Sequence, residues 1–295
     1  MTGQVICADN PMLPPYTGPK LQQFHNPDAK IRWIRRLDEG REGSQGFVFQ
    51  VEIASKEHAL KLFKFTDPKD HRYYWQSRLR KEMPLSEAIF YTDPFYAECR
   101  AYGRIRDAFT SRFVLEQTAV KCYGYLLLTL DKTEKRWLKD SGVDLEPEVI
   151  DSDLHGALGG DLRIRAIVKD LERNPKELNA KNIRRALRSV YLLNDTLKIY
   201  NMDIKADNFI GHRLVDFGSS WTEPHALLNY FQKTAKHIAQ SYRLRDKVNF
   251  EDMIENAEIP TRLRVIPNSS HQLRRKGKPK FTERDLPKRR RRPPT

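Results

Sequence analysis

Residues 200–221 read Tyr-Asn-Met-Asp-Ile-Lys-Ala-Asp-Asn-Phe-Ile-Gly-His-Arg-Leu-Val-Asp-Phe-Gly-Ser-Ser-Trp. Asp203, Lys205 and Asn208 fall at the spacing D-x-K-x-x-N, and Asp216-Phe217-Gly218 follows them. These are the groups that phosphoryl transfer brings to one point. It needs an acid beside the attacking hydroxyl, an ammonium beside the γ-phosphate, and an amide and a carboxylate that can hold Mg²⁺. Such a reaction depends on charge neutralisation and positioning more than on covalent chemistry by the protein. A tight Gly211-His212 turn joins the two motifs between two apolar strand-like runs.

The chain must then supply elements that carry the remaining partners. Residues 31–65 read as three strands with a glycine turn at Gly43-Ser44-Gln45-Gly46 ahead of Val48. Gly43 and Gly46 would let a hairpin lie close over phosphates, and Val48 would place an apolar side chain on a purine. Arg41 stands where a first glycine is expected, so a plain hairpin explains the same residues. The third strand carries Ala59-Leu60-Lys61, and Lys61 becomes the candidate clamp for the α- and β-phosphates. A further helical stretch is expected over residues 72–83. Asp93-Pro94 then reads as an N-cap followed by proline at the first helical position. In the helix beyond it, Phe95, Cys99 and Tyr102 make an apolar face that also contains Glu98. A carboxylate on such a face needs a partner, and Lys61 is the candidate; a surface ion pair is the alternative.

Two more strands are expected over residues 118–129 and 162–171. Around Val168-Lys169-Asp170 the chain should cross between lobes, with Lys169 and Leu171 flanking an adenine. Residues 140–161 hold seven acids and no Lys or Arg, which reads as a solvated loop. Residues 181–199 make a helix that delivers the chain to the opening stretch. Pro224 starts another, with Leu227, Leu228, Phe231, Ile238 and Tyr242 as its core face, and residues 250–258 a short third.

The net charge of +14 is uneven: residues 261–295 hold 13 Lys and Arg against 2 acids, leaving +3 for the other 260 residues. The end of the chain has Arg274-Arg275-Lys276 and Lys288-Arg289-Arg290-Arg291-Arg292 among prolines, which reads as a disordered tail suited to nuclear import or to non-specific phosphate contacts. Three cysteines without a metal-ligand spacing suit a reducing compartment, cytosol or nucleus. No basic region followed by an apolar stretch begins the chain, and the longest nearly apolar run, residues 123–130, is too short to span a bilayer. No membrane association is expected.

Together these residues resemble the protein kinase superfamily over about residues 31–221. The resemblance implies an α+β, bilobal fold with a small β-rich N-lobe and a truncated helical C-lobe. It divides the chain into an extended leader at 1–30, an N-lobe at 31–171 with an acidic insert at 131–161, a minimal C-lobe at 172–265 and a basic tail at 266–295. It implies ATP and Mg²⁺ as cofactors. Gly43, Gly46, Val48, Lys61, Glu98, Lys169 and Leu171 would line the ATP site, with Glu98 holding Lys61. Asp203 would accept the substrate proton, Lys205 would steady the γ-phosphate, and Asn208 and Asp216 would bind the metal. Asn201-Met202 replaces the usual His-Arg before the acid, and no Ala-Pro-Glu follows Gly218. Both departures put regulation and peptide docking in doubt.

Glu-Cys-Arg-Ala-Tyr-Gly-Arg at 98–104, Val-Lys-Cys-Tyr-Gly at 120–124 and Asp-Phe-Gly-Ser-Ser-Trp also resemble, more narrowly, a fungal family of kinetochore subunits, the Fta-two type of the Sim-four complex. That resemblance implies a nuclear protein with protein partners at the centromere. Three functions therefore compete: an atypical ATP-dependent phosphotransferase, a pseudokinase scaffold in a nuclear assembly, and a small-molecule kinase. A dedicated DNA-binding protein fits least, because the body has no overall basic excess.

Overall fold

The computed structural model describes residues 13–38, 45–65, 83–112, 117–143, 145, 156 and 163–265. Gly43, the helix expected over residues 72–83 but for Met83, most of the acidic stretch and both basic tail clusters lie outside them.

The architecture is α+β, an N-terminal five-stranded antiparallel sheet followed by helices. The strands are β1 (Ile31–Arg36), β2 (Gly46–Ile53), β3 (Lys56–Phe63), β4 (Cys122–Leu128) and β5 (Ile164–Asp170), in the order β1-β2-β3-β5-β4. Alternation on β3 and β5 sorts their side chains between two cores. Leu60, Leu62, Ala166 and Val168 face one cluster, while Phe63 and Ile167 face another. Lys61 pairs with Ile167 across the ladder and so points to the second face with it.

Two helices fill the crossover from β3 to β4, α1 (Leu85–Thr92) and α2 (Pro94–Thr110). As expected, Asp93 caps α2: its side chain accepts from the Phe95 N–H, with Pro94 at the first helical position. The Asp93 carboxylate also meets the Arg165 guanidinium at 2.9 Å, an ion pair buried on both sides. α2 lies under the sheet, and its apolar face joins the large cluster that continues into the C-terminal helices.

The leader and the insert are more ordered than the sequence suggests. Residues 13–30 form a strap, with Leu13, Leu21 and Phe24 buried. The Phe24 N–H donates to the Tyr125 carbonyl at 2.9 Å, and the Tyr125 N–H to the Gln22 carbonyl at 3.1 Å. Two glycines make room for it. A Cβ on Gly103 would stand 2.6 Å from the Lys20 carbonyl carbon, and one on Gly124 2.6 Å from the Phe24 nitrogen. We expect Gly103→Ala to lower stability by about 1–3 kcal/mol through this overpacking. Chemical denaturation checks the loss, and limited proteolysis should show early cleavage within residues 13–30. The insert begins with a helix, α3 (Lys132–Asp140), closed by a capping box between Asp131 and Glu134. Its Trp137 and Leu138 cover the outer face of the sheet beside Trp33 and Phe49.

Two expected boundaries move. β5 runs through Asp170 and pairs with both neighbours, Lys169 facing Ala59 on one side and Cys122 on the other. Backbone groups of residues 168–170 are therefore taken up by the sheet, and the chain crosses to the helices only after Asp170. Beyond the crossing come α4 (Ile183–Tyr191), a π-turn (Leu192–Thr196), β6 (Ile199–Tyr200), the hairpin β7 (Phe209–Ile210) and β8 (Arg213–Leu214), and β9 (Trp221–Thr222) paired with β6. The last two helices are α5 (Ala226–Thr234) and α6 (Lys236–Asn256). The helix expected from Pro224 breaks after Thr234, and the separate helix expected over 250–258 is the end of α6. The break lets Phe231 and Tyr242 pack face to face, which one straight helix could not do.

Candidate functional site

The site lies where β3, β5 and α2 meet the loop before β7 and the turn after β8. Lys61 leaves the middle of β3, and its Nζ donates to Glu98 Oε2 at 2.8 Å and to Asp216 Oδ1 at 2.8 Å. Glu98 is fully buried, so it cannot be a surface ion pair. A second ammonium reaches it, since Lys169 Nζ contacts Glu98 Oε1 and donates to the Val215 carbonyl at 2.7 Å. Lys169 was expected to flank an adenine; its side chain instead turns inward to this cluster. Leu171, just past the strand, is half-buried.

The cluster holds two ammoniums and two carboxylates, and each group shifts the others. Burial by itself would lower the Lys61 pKa, but Asp216 and Glu98 override it and hold it above the ordinary lysine value. Burial would raise Asp216, yet Lys61 and Lys169 keep its carboxyl well below the ordinary 3.8. A carboxylate with a depressed folded-state pKa stabilises the fold above its unfolded pKa and loses that contribution as the pH falls. We therefore expect the stability gap between wild type and Asp216→Asn to be full at neutral pH. It should shrink from about pH 5 to about pH 2, as read by urea denaturation. A gap independent of pH would contradict the Lys61–Asp216 pairing.

The other motif residues converge on the same cleft. Asp216 Oδ1 also accepts from the Gly218 N–H at 2.8 Å, and its side chain keeps 37% of its surface exposed. Phe217 is fully buried with its ring 5.2 Å edge-on to Tyr102. Asn208 Nδ2 donates to the Asp203 carbonyl at 2.8 Å and to Asp203 Oδ2 at 3.1 Å. Lys205 Nζ lies 2.8 Å from Asp203 Oδ2, with both side chains about half exposed. Gly211 has φ +64°, the left-handed turn that its place in the β7–β8 hairpin requires. From the sheet, Gln45 reaches down and its Nε2 donates to Ser219 Oγ at 2.9 Å. Gly46 and Val48 start β2 above the cleft, where Gly46 sits so close to the Leu62 carbonyl that a Cβ would meet it at 2.0 Å.

The residue that holds the loop together was missed in the sequence. Asp246, buried on α6, accepts from Asn194 Nδ2 at 2.8 Å, the Asn201 N–H at 2.6 Å and the Met202 N–H at 2.7 Å. Asn201 in turn donates from Nδ2 to the Asp216 carbonyl at 2.6 Å, tying the two motifs. Asp246 stands four residues from both Tyr242 and Phe250, so it lies on a core-facing stripe. The argument that singles out Glu98 would have found it. Arg100 is a second such residue: buried, it donates to the Thr222 and Pro224 carbonyls at 2.6 and 2.5 Å and packs over Tyr91. Arg104 donates to the Glu223 carbonyl at 2.6 Å. The 98–104 motif thus joins the sheet, the strap and the segment after Gly218.

What results is an α+β body with a lysine–carboxylate cleft that can receive a polyanion and a hard cation. The chain belongs to the family described as Kinetochore Sim4 complex subunit FTA2, whose model matches residues 10–221. Comparison with curated proteins finds no match.

Proposed function

We propose that the protein is a subunit of a nuclear kinetochore assembly, built on a kinase-like module that binds Mg–ATP in the Lys61–Asp216 cleft. The family supports the assembly role and protein partners there. The observation that carries the nucleotide site is the Lys61 ammonium held between buried Glu98 and part-exposed Asp216. A buried ammonium fixed by two carboxylates and facing a cleft is placed to meet phosphate oxygens. Val48 above it would face the base. The basic tail clusters serve nuclear import in this reading.

The donor set fits Mg²⁺ that arrives with a nucleotide. Among the described residues no group of three or more His, Cys, Asp or Glu could hold a metal alone. Mg²⁺ is usually bound through one or two carboxylates plus substrate phosphates, and Asp216 with the Asn208 amide oxygen suits that role. Bound there, the ion would neutralise phosphate charge; the protein's part is to fix Asp216 through Lys61, Gly218 and Asn201.

The half-exposed Asp203 beside Lys205 favours a second reading, in which the module also transfers the γ-phosphate to a hydroxyl acceptor. Asp203 would take the hydroxyl proton and Lys205 would steady the phosphoryl group. One experiment separates the two readings. Mg–ATP at about a hundred times its Kd should raise the melting temperature of the full chain by about 5–10 °C. Asp203→Asn should keep that rise while abolishing any γ-phosphate transfer to peptides or small alcohols. A rise with no transfer in wild type leaves the scaffold reading alone, and no rise at all removes both.

A further inference from the structure

We infer that the face of α4 and the groove beside it form a binding surface for the phosphate backbone of nucleic acid, separate from the Lys61–Asp216 cleft. Lys181, Arg184, Arg185 and Arg188 are all exposed. They stand at i, i+3, i+4 and i+7, which places them on one side of the helix and its leading turn. The opposite side, Ile183, Ala186, Leu187 and Val190, is buried in the main core. The stripe is thus fixed outward by the packing of its own helix. It is about 10 Å long at the α-helical rise, enough to face several phosphates of a duplex.

Charge is concentrated here rather than shared over the body. Residues 173–188 contain six Lys and Arg against one acid, while residues 1–260 together carry only +3. The overall near-neutrality therefore hides one basic surface. Beside the stripe opens a groove of 640 Å³ lined by Gln117, Asn174, Lys176 and Arg213 among others. Arg213 is paired with Glu172 at 2.5 Å, so it fixes the wall, and Lys176 and the stripe supply the free field.

The chemistry favours nucleic acid over an acidic peptide. Asn, Gln, Lys and Arg are the side chains that meet phosphate and sugar oxygens. Peptide grooves gain affinity from pockets for apolar anchors, and Ile210 is the one apolar side chain lining this groove. With no aromatic platform and no element shaped to enter a groove, the contact is to the backbone and without sequence preference.

Fluorescence anisotropy of the full chain with a labelled duplex of about 20 base pairs, titrated from about 50 to about 200 mM salt, tests this. Lys181→Glu, Arg184→Glu and Arg185→Glu combined should weaken binding at least tenfold and reduce the slope of log K against log salt by about 2.7. Acidic groups near the start of α4 suit its dipole, so the variant should keep its circular dichroism and melting temperature. The three Gln substitutions at the same positions serve as the milder version and should lose affinity in the same direction. A chain with Lys288, Arg289, Arg290, Arg291 and Arg292 changed to Gln separates this surface from the tail, and it should show the same stripe-dependent loss. An unchanged slope in the stripe variants overturns the proposal. Capture of a polyglutamate peptide that the duplex cannot displace also overturns it, in favour of an acidic protein partner.

Discussion

Replacing Lys61 with alanine should abolish the melting-temperature rise produced by Mg–ATP and lower the stability of the nucleotide-free protein by about 3 kcal/mol or more. Two effects add. The first is loss of the ammonium that would meet the α- and β-phosphates. The second is structural: Glu98 is fully buried, and breaking a buried ion pair leaves a carboxylate that was compensated in part by the missing group. Lys169 still reaches Glu98, which holds the loss toward the lower end of what buried pairs show. Lys61→Met keeps most of the stem packing, so it isolates the charge. It should lose the nucleotide response as fully as alanine while losing less through packing. Thermal and urea denaturation with and without Mg–ATP measure both. A Lys61→Ala protein that melts with the wild type and still responds to Mg–ATP would remove Lys61 from the site.

The second large effect is expected at Asp246, far from any nucleotide. Asp246→Ala should cost about 3–5 kcal/mol, because it strands three buried donors that would each be worth about 1–3 kcal/mol if left unpaired. Those donors are Asn194 Nδ2 and the N–H groups of Asn201 and Met202. Met202 has φ +67°, a left-handed backbone that a side-chain-bearing residue keeps only where its surroundings enforce it. Removing Asp246 takes that enforcement away. The loop should relax, and Asn201 should lose its hold on the Asp216 carbonyl. Urea denaturation reads the stability loss, and amide hydrogen exchange at Met202 should speed up by a larger factor than at β3. Weaker Mg–ATP binding should accompany it. Unchanged exchange at Met202 would show that the loop is held by something else.

The strap, the capped insert and the Lys169 side chain show where sequence reasoning stops. Proline and weak periodicity at 1–30 mark an irregular segment correctly, yet irregular backbone can still be fixed by edge pairing with Tyr125. Gly103 and Gly124 belong to the narrower motifs, but their reason is contact with residues some eighty to a hundred positions earlier, which spacing cannot express. Lys169 alternates on a strand whose two faces are both buried, so periodicity could not say which face held a cluster able to accept its charge.

Local chemistry determined the α+β class, the Asp93 cap, the three-strand run, the Gly211 turn and the need for Glu98 to have a partner. Each follows from interactions between residues near in sequence, or from the cost of burying one charge. Only the tertiary structure decided that Glu98 takes two lysines, that Asp246 holds the loop backbone, that the leader is a strap, and that one side of α4 gathers the body's basic charge. These depend on which distant surfaces meet, and burial, which turns a charge from a solvated side chain into a fixed partner, exists only once they have met.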